Sequence, residues 1–151
     1  MTYDLNGKHV LVTGASAGIG AALAEGFAKR GATVGICARR DDKLQEVLER
    51  CRVHAPQSQA WTVDLADLDG LEAFARRASA DLGGIDVLVN NAGIPKRKPV
   101  FALTPEVVEA VMHINYFSPV RLTLALLDEL VARAGRIVYV SSVAARLSPP
   151  A

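Results

Sequence analysis

Residues 10–20, Val10-Leu11-Val12-Thr13-Gly14-Ala15-Ser16-Ala17-Gly18-Ile19-Gly20, decide the fold of this chain. The run from Val10 to Val12 is apolar and mostly β-branched, a pattern typical of a fully buried parallel strand. Three glycines follow, and a helical pattern begins at Ile19. Glycine backbone can approach phosphate oxygens, and the N–H groups and dipole of a helix start attract negative charge. The stretch predicts a nucleotide diphosphate site. The alternative is an ordinary strand-to-helix turn, because the spacing Gly-x-x-x-Gly-x-Gly is not the commoner Gly-x-Gly-x-x-Gly.

Length and composition limit the class of protein. The 151 residues are 50% hydrophobic, which fits one folded domain with a sizeable core rather than a disordered chain. A net charge of +1 argues against a nucleic-acid partner held by bulk electrostatics. Cys37 and Cys51 fit no metal-ligand spacing, so we expect reduced packing cysteines and no metal site. The pattern contains neither a signal peptide nor a membrane span, so we expect a cytoplasmic protein without a membrane partner.

Hydrophobic periodicity along the chain predicts strict alternation of strands and helices. Five strands are expected, at Val10–Val12, Thr33–Ala38, Gln59–Val63, Ile85–Val89 and Arg136–Val140. The buried faces of the helices between them are expected to include Ala22, Leu23, Ala24, Phe27 and Ala28 in the first, Leu44, Val47 and Leu48 in the second, and Leu71, Phe74, Ala75 and Ala78 in the third.

Cap and turn residues delimit these helices. The first is expected from about Ile19 to Arg30, with Gly31 ending it in a left-handed conformation. Asp67 is expected to cap the third helix, and Gly83-Gly84 to stop it. Thr104-Pro105 predicts the start of a long fourth helix that bends near Pro119, reaches Ala134 and is ended by Gly135.

This alternation predicts an α/β fold with a doubly wound parallel sheet in a three-layer α/β/α arrangement. In such sheets the ligand lies beyond the carboxyl ends of the strands, where the strand order reverses. Polar residues follow all five predicted strands, namely Thr13-Gly14, Arg39, Asp64, Asn90-Asn91 and Ser141-Ser142. We therefore expect one site at this edge of the sheet.

These residues resemble the short-chain dehydrogenase/reductase family. The matching pieces occur in the family's order and spacing across nearly the whole chain: Thr13-Gly14-Ala15-Ser16-Ala17-Gly18-Ile19-Gly20, Asp64-Leu65, Asn90-Asn91-Ala92-Gly93, Asn115 and Ile137-Val138-Tyr139-Val140-Ser141-Ser142. The resemblance implies a Rossmann-type NAD(P)-binding domain over residues 1–151. It also implies cofactor contacts at Gly14, Ser16, Ala17, Gly18, Ile19, Gly20, Arg39, Arg40, Asp64, Leu65, Asn90, Asn91, Ala92 and Gly93.

Within this set, Asp64 and the segment Asn90–Gly93 have implied roles that the chemistry of the residues supports. Asp64 would accept a hydrogen bond from the adenine amino group; the alternative is a helix-capping loop aspartate. Asn90 to Gly93 would bring backbone against the adenosine ribose and brace the middle of the sheet.

Arg39 indicates which nicotinamide cofactor is preferred. In NAD-preferring relatives an acidic residue at the end of the second strand binds both ribose hydroxyls, and Ala38 occupies that position here. The Arg39 guanidinium can bind a 2′-phosphate through two charge-assisted bonds, and Arg40 can assist. NADP(H) is therefore favoured over NAD(H). Two observations favour the opposite interpretation: Ala17 stands where many NADP-preferring relatives have a second basic residue, and Arg39 could be merely an exposed charge at a strand end.

The resemblance implies oxidoreductase chemistry, the transfer of a hydride between nicotinamide and a carbonyl or alcohol carbon. Ser142 would hydrogen-bond the substrate oxygen and stabilise the charge that builds there. Asn115 would interrupt the long helix and hold a water of the proton relay, or else bond its own backbone. His9 and His113 are expected to be structural or surface residues.

The family's acid-base pair is a tyrosine with a lysine four positions later, expected about a dozen residues after Ser142. Tyr3, Tyr116 and Tyr139 are not followed by lysine at that spacing. We therefore expect the sequence to be truncated before this motif, inactive by itself, and part of an enzyme that forms a homo-oligomer.

A non-catalytic NADP-binding or regulatory protein of the same fold is the alternative. An interaction module that uses the basic loop Lys96-Arg97-Lys98 has less support. The substrate is expected to be a small carbonyl or alcohol compound, bound between Ile94–Leu103 and Val143–Leu147. Its identity cannot be deduced from these residues.

Overall fold

A computed structural model describes residues 3–96 and 99–142. Its centre is a five-stranded sheet in the order β3-β2-β1-β4-β5, and all neighbouring strands are parallel. The strands are β1 (His9–Thr13), β2 (Thr33–Ala38), β3 (Gln59–Thr62), β4 (Val87–Asn90) and β5 (Arg136–Tyr139). Because β1 pairs with β2 on one side and β4 on the other, the strand order reverses beside β1. The predicted doubly wound sheet is confirmed.

Helices cover both faces of the sheet. They are α1 (Gly18–Ala28), α2 (Asp41–Arg52), α3 (Leu71–Leu82), α4 (Pro105–Met112) and α5 (Ser118–Ala132). Within β1, Val10 and Val12 pack in the cluster that contains residues of α1 and α2, whereas Leu11 packs in the cluster of α3 and α5. This alternation follows from the two-residue period of a strand and confirms the three layers. None of the helices in the described part of the chain combines the length and the apolar character needed to cross a bilayer.

The predicted buried faces of α2 and α3 are confirmed, but that of α1 is partly wrong. Ala24 and Ala28 are buried in α1, with Leu23 and Phe27 partly buried beside them, whereas Ala22 is exposed. The buried residues Ala21, Ala24 and Ala28 follow the three- and four-residue spacing of one helix face. Ala22 lies one residue off this face and points to solvent.

Asp67 does not cap α3, contrary to the sequence prediction. The N-cap residue is Gly70, and no side chain caps the helix start. The Asp67 main-chain N–H donates instead to the Asp64 carbonyl at 3.1 Å, so Asp67 belongs to a turn that follows β3. At the other end of α3 the prediction is confirmed, because Gly83 is left-handed with φ of 75°.

The long helix after Thr104 is interrupted earlier than predicted. A π-helical turn at His113–Phe117 separates α4 from α5, so the break precedes Pro119, which lies in the first turn of α5. Proline is well tolerated there because the first N–H groups of a helix have no intrahelical partner. The residue that leaves α5 in a left-handed conformation is Ala134, with φ of 49°, and not Gly135. Gly135 is needed for space instead, since a Cβ there would lie 2.5 Å from the Asp86 carbonyl oxygen.

Candidate functional site: a cleft at the carboxyl edge of the sheet

A cleft of about 410 Å³ opens at the carboxyl edge of the sheet, where the strand order reverses. It collects residues from the ends of β1, β2, β3 and β4, and it contains every predicted cofactor residue except Gly18 and Asn90. The residues that line it are Gly14, Ser16, Ala17, Ile19, Gly20, Ala38, Arg39, Arg40, Val63, Asp64, Leu65, Asn91, Ala92, Gly93, Ile94 and Ile114. Sequence reasoning missed two apolar members, Val63 and Ile114, and it assigned a third, Ile94, to the substrate pocket rather than to the cofactor site. Val63 directly precedes the strand-end residue Asp64, so the strand-end rule could have found it.

The glycine turn between β1 and α1 has two different spatial requirements. Gly14 is left-handed with φ of 67°, and a Cβ there would lie 2.7 Å from the Cα of Ala92. Gly14 is therefore required for close packing of the turn on the loop after β4. Gly18 is also left-handed, with φ of 59°, but a Cβ there would meet nothing within 4 Å. It faces open space, at the first residue of α1.

The N-terminus of α1 is suited to bind an anion. Its N-cap residue is Ala17, no side chain caps it, and its first turn contains no acidic residue. The first N–H groups of a helix have no intrahelical partner, and the helix dipole is positive at this end. A phosphate group could satisfy these donors from the cleft side.

Thr13 and Asn91 fasten the glycine turn to the loop that follows β4. Thr13 is 2% exposed, and its hydroxyl donates to the Val89 carbonyl at 3.3 Å and accepts the main-chain N–H groups of Asn91 and Ala92, both at 3.0 Å. The Asn91 side-chain amide donates to the carbonyls of Thr13 and Gly14 at 2.9 and 3.3 Å. The two walls of the cleft therefore share one buried hydrogen-bond network.

The end of β2 supplies positive charge to the rim of the cleft. Arg39 and Arg40 are both exposed, and within residues 3–96 and 99–142 neither of them forms an ion pair. Arg40 Nη2 donates to Ser16 Oγ at 3.1 Å, across the cleft mouth. The adjacent Asp41 carboxylate is bonded to Thr62 Oγ1 at 2.6 Å and to Gln45, and these bonds lower the pKa of Asp41. The carboxylate that directly follows Arg40 in sequence is therefore bonded to Thr62 and Gln45.

Asp64 lines the cleft after β3, whereas Asn90, at the end of β4, does not line it. Asp64 is exposed after β3, and its Oδ1 accepts the Ala66 N–H at 3.0 Å; this is a bond within the loop and not the helix cap that the sequence left as the alternative, because α3 is capped by no side chain. Asn90 is 6% exposed at the end of β4 and donates to Thr123 Oγ1 at 3.3 Å. Its Oδ1 has no hydrogen-bond partner among the described residues.

The two predicted catalytic residues differ in their relation to the cleft: Asn115 bonds Ile94 of the cleft wall, whereas Ser142 does not line the cleft. Asn115 lies in the π-helical turn, so the predicted interruption of the helix is confirmed. Its side chain bonds neither its own backbone nor a neighbouring turn: Oδ1 accepts the Ile94 N–H at 2.9 Å and Nδ2 donates to the Ile94 carbonyl at 3.1 Å. Ser142 is exposed just beyond β5, and it is not among the residues that line the cleft. Arg97, Lys98 and residues 143–151 lie outside the described residues, with part of the predicted substrate pocket and most of the basic loop.

The cleft fits a phosphorylated dinucleotide on three observations. The helix start is uncapped by any side chain, Gly18 faces open space, and the two arginines lack a carboxylate partner within the described ranges. Diphosphate would meet the first two features, and a further phosphate would meet the third. The donor set is therefore of the kind that such a cofactor needs.

Comparison with known proteins agrees with this geometry. The family model described as short chain dehydrogenase matches residues 8–151. A dehydrogenase/reductase SDR family protein 7-like of Anopheles gambiae is 40% identical over 152 residues, covering 97% of this chain and 48% of the relative. A short chain dehydrogenase of Burkholderia cenocepacia, solved in complex with NADP, has a TM-score of 0.91 at 33% identity and covers 99% of this chain and 61% of that chain. An L-sorbose reductase of Gluconobacter frateurii, complexed with NADPH and L-sorbose, has a TM-score of 0.88 at 32% identity, with 95% and 56% covered.

The chain belongs to the short-chain dehydrogenase family of oxidoreductases. The resemblance inferred from its motifs is thus confirmed, together with the Rossmann-type fold. The chain spans about half the length of the curated relatives it matches.

Proposed function

We propose that this chain forms the NADP(H)-binding part of an oxidoreductase that transfers a hydride between the nicotinamide and a small carbonyl or alcohol compound. The observation that carries the proposal is the meeting of the uncapped α1 start and the Arg39-Arg40 rim in one cleft at the strand-order reversal. The bound cofactor would supply or accept the hydride. The residues of this chain would bind it, orient it and exclude water from it.

The preference for NADP(H) rests on charge. Ala38, at the end of β2, has no carboxylate to accept bonds from two ribose hydroxyls. Arg39 and Arg40 follow it with guanidinium groups that can each form two parallel bonds to a phosphate. The NADP and NADPH complexes of two similar proteins support this assignment. Asp64 would accept the adenine amino group with the carboxylate oxygen that does not bond Ala66.

Ser142 and Asn115 are proposed to serve the reaction in different ways. The Ser142 hydroxyl would donate to the substrate oxygen and stabilise negative charge there. Since the Asn115 amide is used at both ends on Ile94, its side chain would hold the Ile94 backbone at the cleft wall. Any water of a proton relay at Asn115 would then be held by main-chain atoms of the π-helical turn.

Titration with the two reduced cofactors tests the proposed function. The measurement uses protein produced from the whole gene, with any residues encoded beyond Ala151, and follows nicotinamide fluorescence. NADPH is expected to bind about tenfold or more tightly than NADH, since charge-assisted bonds to the additional phosphate are worth one or two kcal/mol. Binding of NADPH without oxidation of it by any of a broad panel of aldehydes and ketones would favour the non-catalytic alternative. Absence of NADPH binding by folded protein would overturn both the proposed oxidoreductase function and the non-catalytic alternative.

The remaining expectations, a homo-oligomeric enzyme and a cytoplasmic location, stay predictions.

A further inference from the structure

The contact between Ser16 and Arg40 joins two segments that are distant in sequence and adjacent at the cleft mouth. Ser16 lies in the glycine turn before α1, and Arg40 is the N-cap residue of α2. The Arg40 Nη2 to Ser16 Oγ bond of 3.1 Å spans the opening between these two helix starts. This hydrogen bond holds the Arg40 guanidinium at the rim of the cleft.

Both ends of this contact are anchored on the same strand. The main-chain N–H groups of Gly14 and Ala15 donate to the Cys37 carbonyl of β2 at 2.8 and 3.2 Å, which fixes the turn that carries Ser16. Arg40 follows β2 after one residue, and its carbonyl accepts the Leu44 N–H at 3.0 Å as α2 begins. The distance between the Ser16 hydroxyl and the Arg40 backbone is therefore set by rigid elements.

The bond to Ser16 orients Arg40 without neutralising it. A hydroxyl carries no charge, and a guanidinium has five N–H donors, so most of them remain for another acceptor. Arg39 differs, because within the described residues its side chain has no hydrogen-bond partner to fix it. A long side chain loses rotamer freedom when it binds a ligand, and an arginine already held in place loses less.

We propose that Ser16 is a positioning residue for cofactor selectivity: by holding Arg40 across the cleft mouth, it prepares that arginine to bind the phosphomonoester on the ribose. This inference rests on the proposed function, since it presupposes that a 2′-phosphorylated dinucleotide enters the cleft. It assigns selectivity to a neutral residue of the glycine turn, acting through the second arginine. Arg39 then binds the same phosphate with a side chain that no hydrogen bond among the described residues holds in place beforehand.

A double-mutant cycle tests the inference. Dissociation constants of NADPH and NADH are measured for the wild type, Ser16→Ala, Arg40→Ala and the double variant. Ser16→Ala is expected to weaken NADPH binding about three- to tenfold, the loss typical of one exposed hydrogen bond, and to leave NADH binding within about twofold. The double variant is expected to bind NADPH no more weakly than Arg40→Ala. Ser16→Thr, which keeps the hydroxyl, is expected to retain most of the affinity.

Three outcomes would overturn the inference. Multiplicative losses in the double variant would mean that Ser16 acts on the ligand independently of Arg40. Equal weakening of NADPH and NADH by Ser16→Ala would indicate a general defect of the glycine turn, and no change for either cofactor would remove Ser16 from selectivity. None of these results affects the proposed function. That proposal fails separately if wild-type protein binds NADH as tightly as NADPH.

Discussion

Thr13 at the end of β1 and Asn91 just beyond β4 are bonded to each other twice. The Thr13 hydroxyl accepts the Asn91 main-chain N–H at 3.0 Å, and the Asn91 side chain donates back to the Thr13 carbonyl at 2.9 Å. These strands are neighbours in the sheet, but the two residues are far apart in sequence. The pair therefore converts the pairing of β1 with β4 into a fixed relation between the glycine turn and the opposite wall of the cleft.

Replacing Thr13 by valine is expected to destabilise the fold and weaken cofactor binding. Valine has the same shape but cannot accept either N–H: the Asn91 N–H keeps its bond to the Val89 carbonyl at 3.1 Å, whereas the Ala92 N–H would lose its Thr13 acceptor in a partly buried place. The expected loss in the free energy of unfolding is about 2 kcal/mol, measured by urea denaturation. Thr13→Ser keeps the hydroxyl and should recover most of the loss. Equal stability of the valine variant and the wild type would show that the network contributes nothing.

Two glycine substitutions in or near α1 are expected to have opposite effects. Gly14→Ala should cost at least about 2 kcal/mol, because φ is 67° and the new Cβ would lie 2.7 Å from the Ala92 Cα. Gly26→Ala is the matched control within α1, where a Cβ would meet nothing within 4 Å and φ is not positive. It should stabilise the protein by about 0.5–1 kcal/mol. Thermal unfolding of both variants gives the comparison, and similar effects of the two would contradict the close packing described for the turn.

Asp86 is expected to make stability depend on pH in the acid range. Burial raises the pKa of this carboxyl, but the His9 N–H at 2.9 Å and the nearby Arg133 guanidinium outweigh burial and lower the pKa below its usual value. A group with a lowered folded-state pKa stabilises the fold fully above its unfolded pKa of about 3.9 and loses this effect as the pH falls through the folded value. Asp86→Asn should therefore cost about 2 kcal/mol near pH 7 and progressively less below about pH 4.

The control for Asp86→Asn is Asp69→Asn, which makes the same chemical change at a side chain that is 97% exposed. Its ion pair with Arg121 should contribute only a few tenths of a kcal/mol. Urea denaturation across the acid range measures both variants. A stability difference between wild type and Asp86→Asn that stays constant with pH would show that the Asp86 carboxyl does not titrate as described.

Both cysteine thiols are expected to be unreactive in the folded protein. Burial raises the pKa of Cys37 to about 12 and that of Cys51 to about 11, and the reactive species is the thiolate. A thiol reagent at about pH 8 should modify neither one at the rate of a free thiol, and both should react on unfolding in guanidinium. Rapid modification of native protein would indicate that one of the helices or strands that cover these thiols opens readily.

The sequence predicted well those features that depend on local pattern. The central strands β1, β2 and β4 are short, largely apolar runs, and a polar cluster directly follows each predicted strand, so parallel pairing alone brings Arg39, Asp64 and Asn91 to one edge. Features set by tertiary contact were predicted less well. Ala134 takes the left-handed conformation, and Gly135 lies where a Cβ would be 2.5 Å from the Asp86 carbonyl oxygen, a contact that no local signal indicates.

The Asn115 side chain shows the same limit at the site. The resemblance to the family implied an interruption of the helix at Asn115, and the π-helical turn confirms it. Its partner could not be predicted, because Ile94 reaches it from a loop 21 residues earlier in the chain. Likewise, Asp67 has the composition of a cap, but the turn after β3 uses its N–H on the Asp64 carbonyl and α3 begins later.

The cofactor preference of Arg39→Asp tests the central claim most directly. Dissociation constants of NADPH and NADH are compared for the wild type, for Arg39→Asp, and for Arg30→Asp, which makes the same charge change at an exposed residue after the C-terminal end of α1, away from the cleft. Arg39→Asp is expected to weaken NADPH by about tenfold or more and to shift the preference towards NADH, because a carboxylate repels the phosphate and accepts ribose hydroxyls. Arg30→Asp should leave the ratio of the two constants unchanged. An unaltered NADPH-to-NADH ratio in Arg39→Asp would contradict the assignment of this cleft as an NADP(H) site.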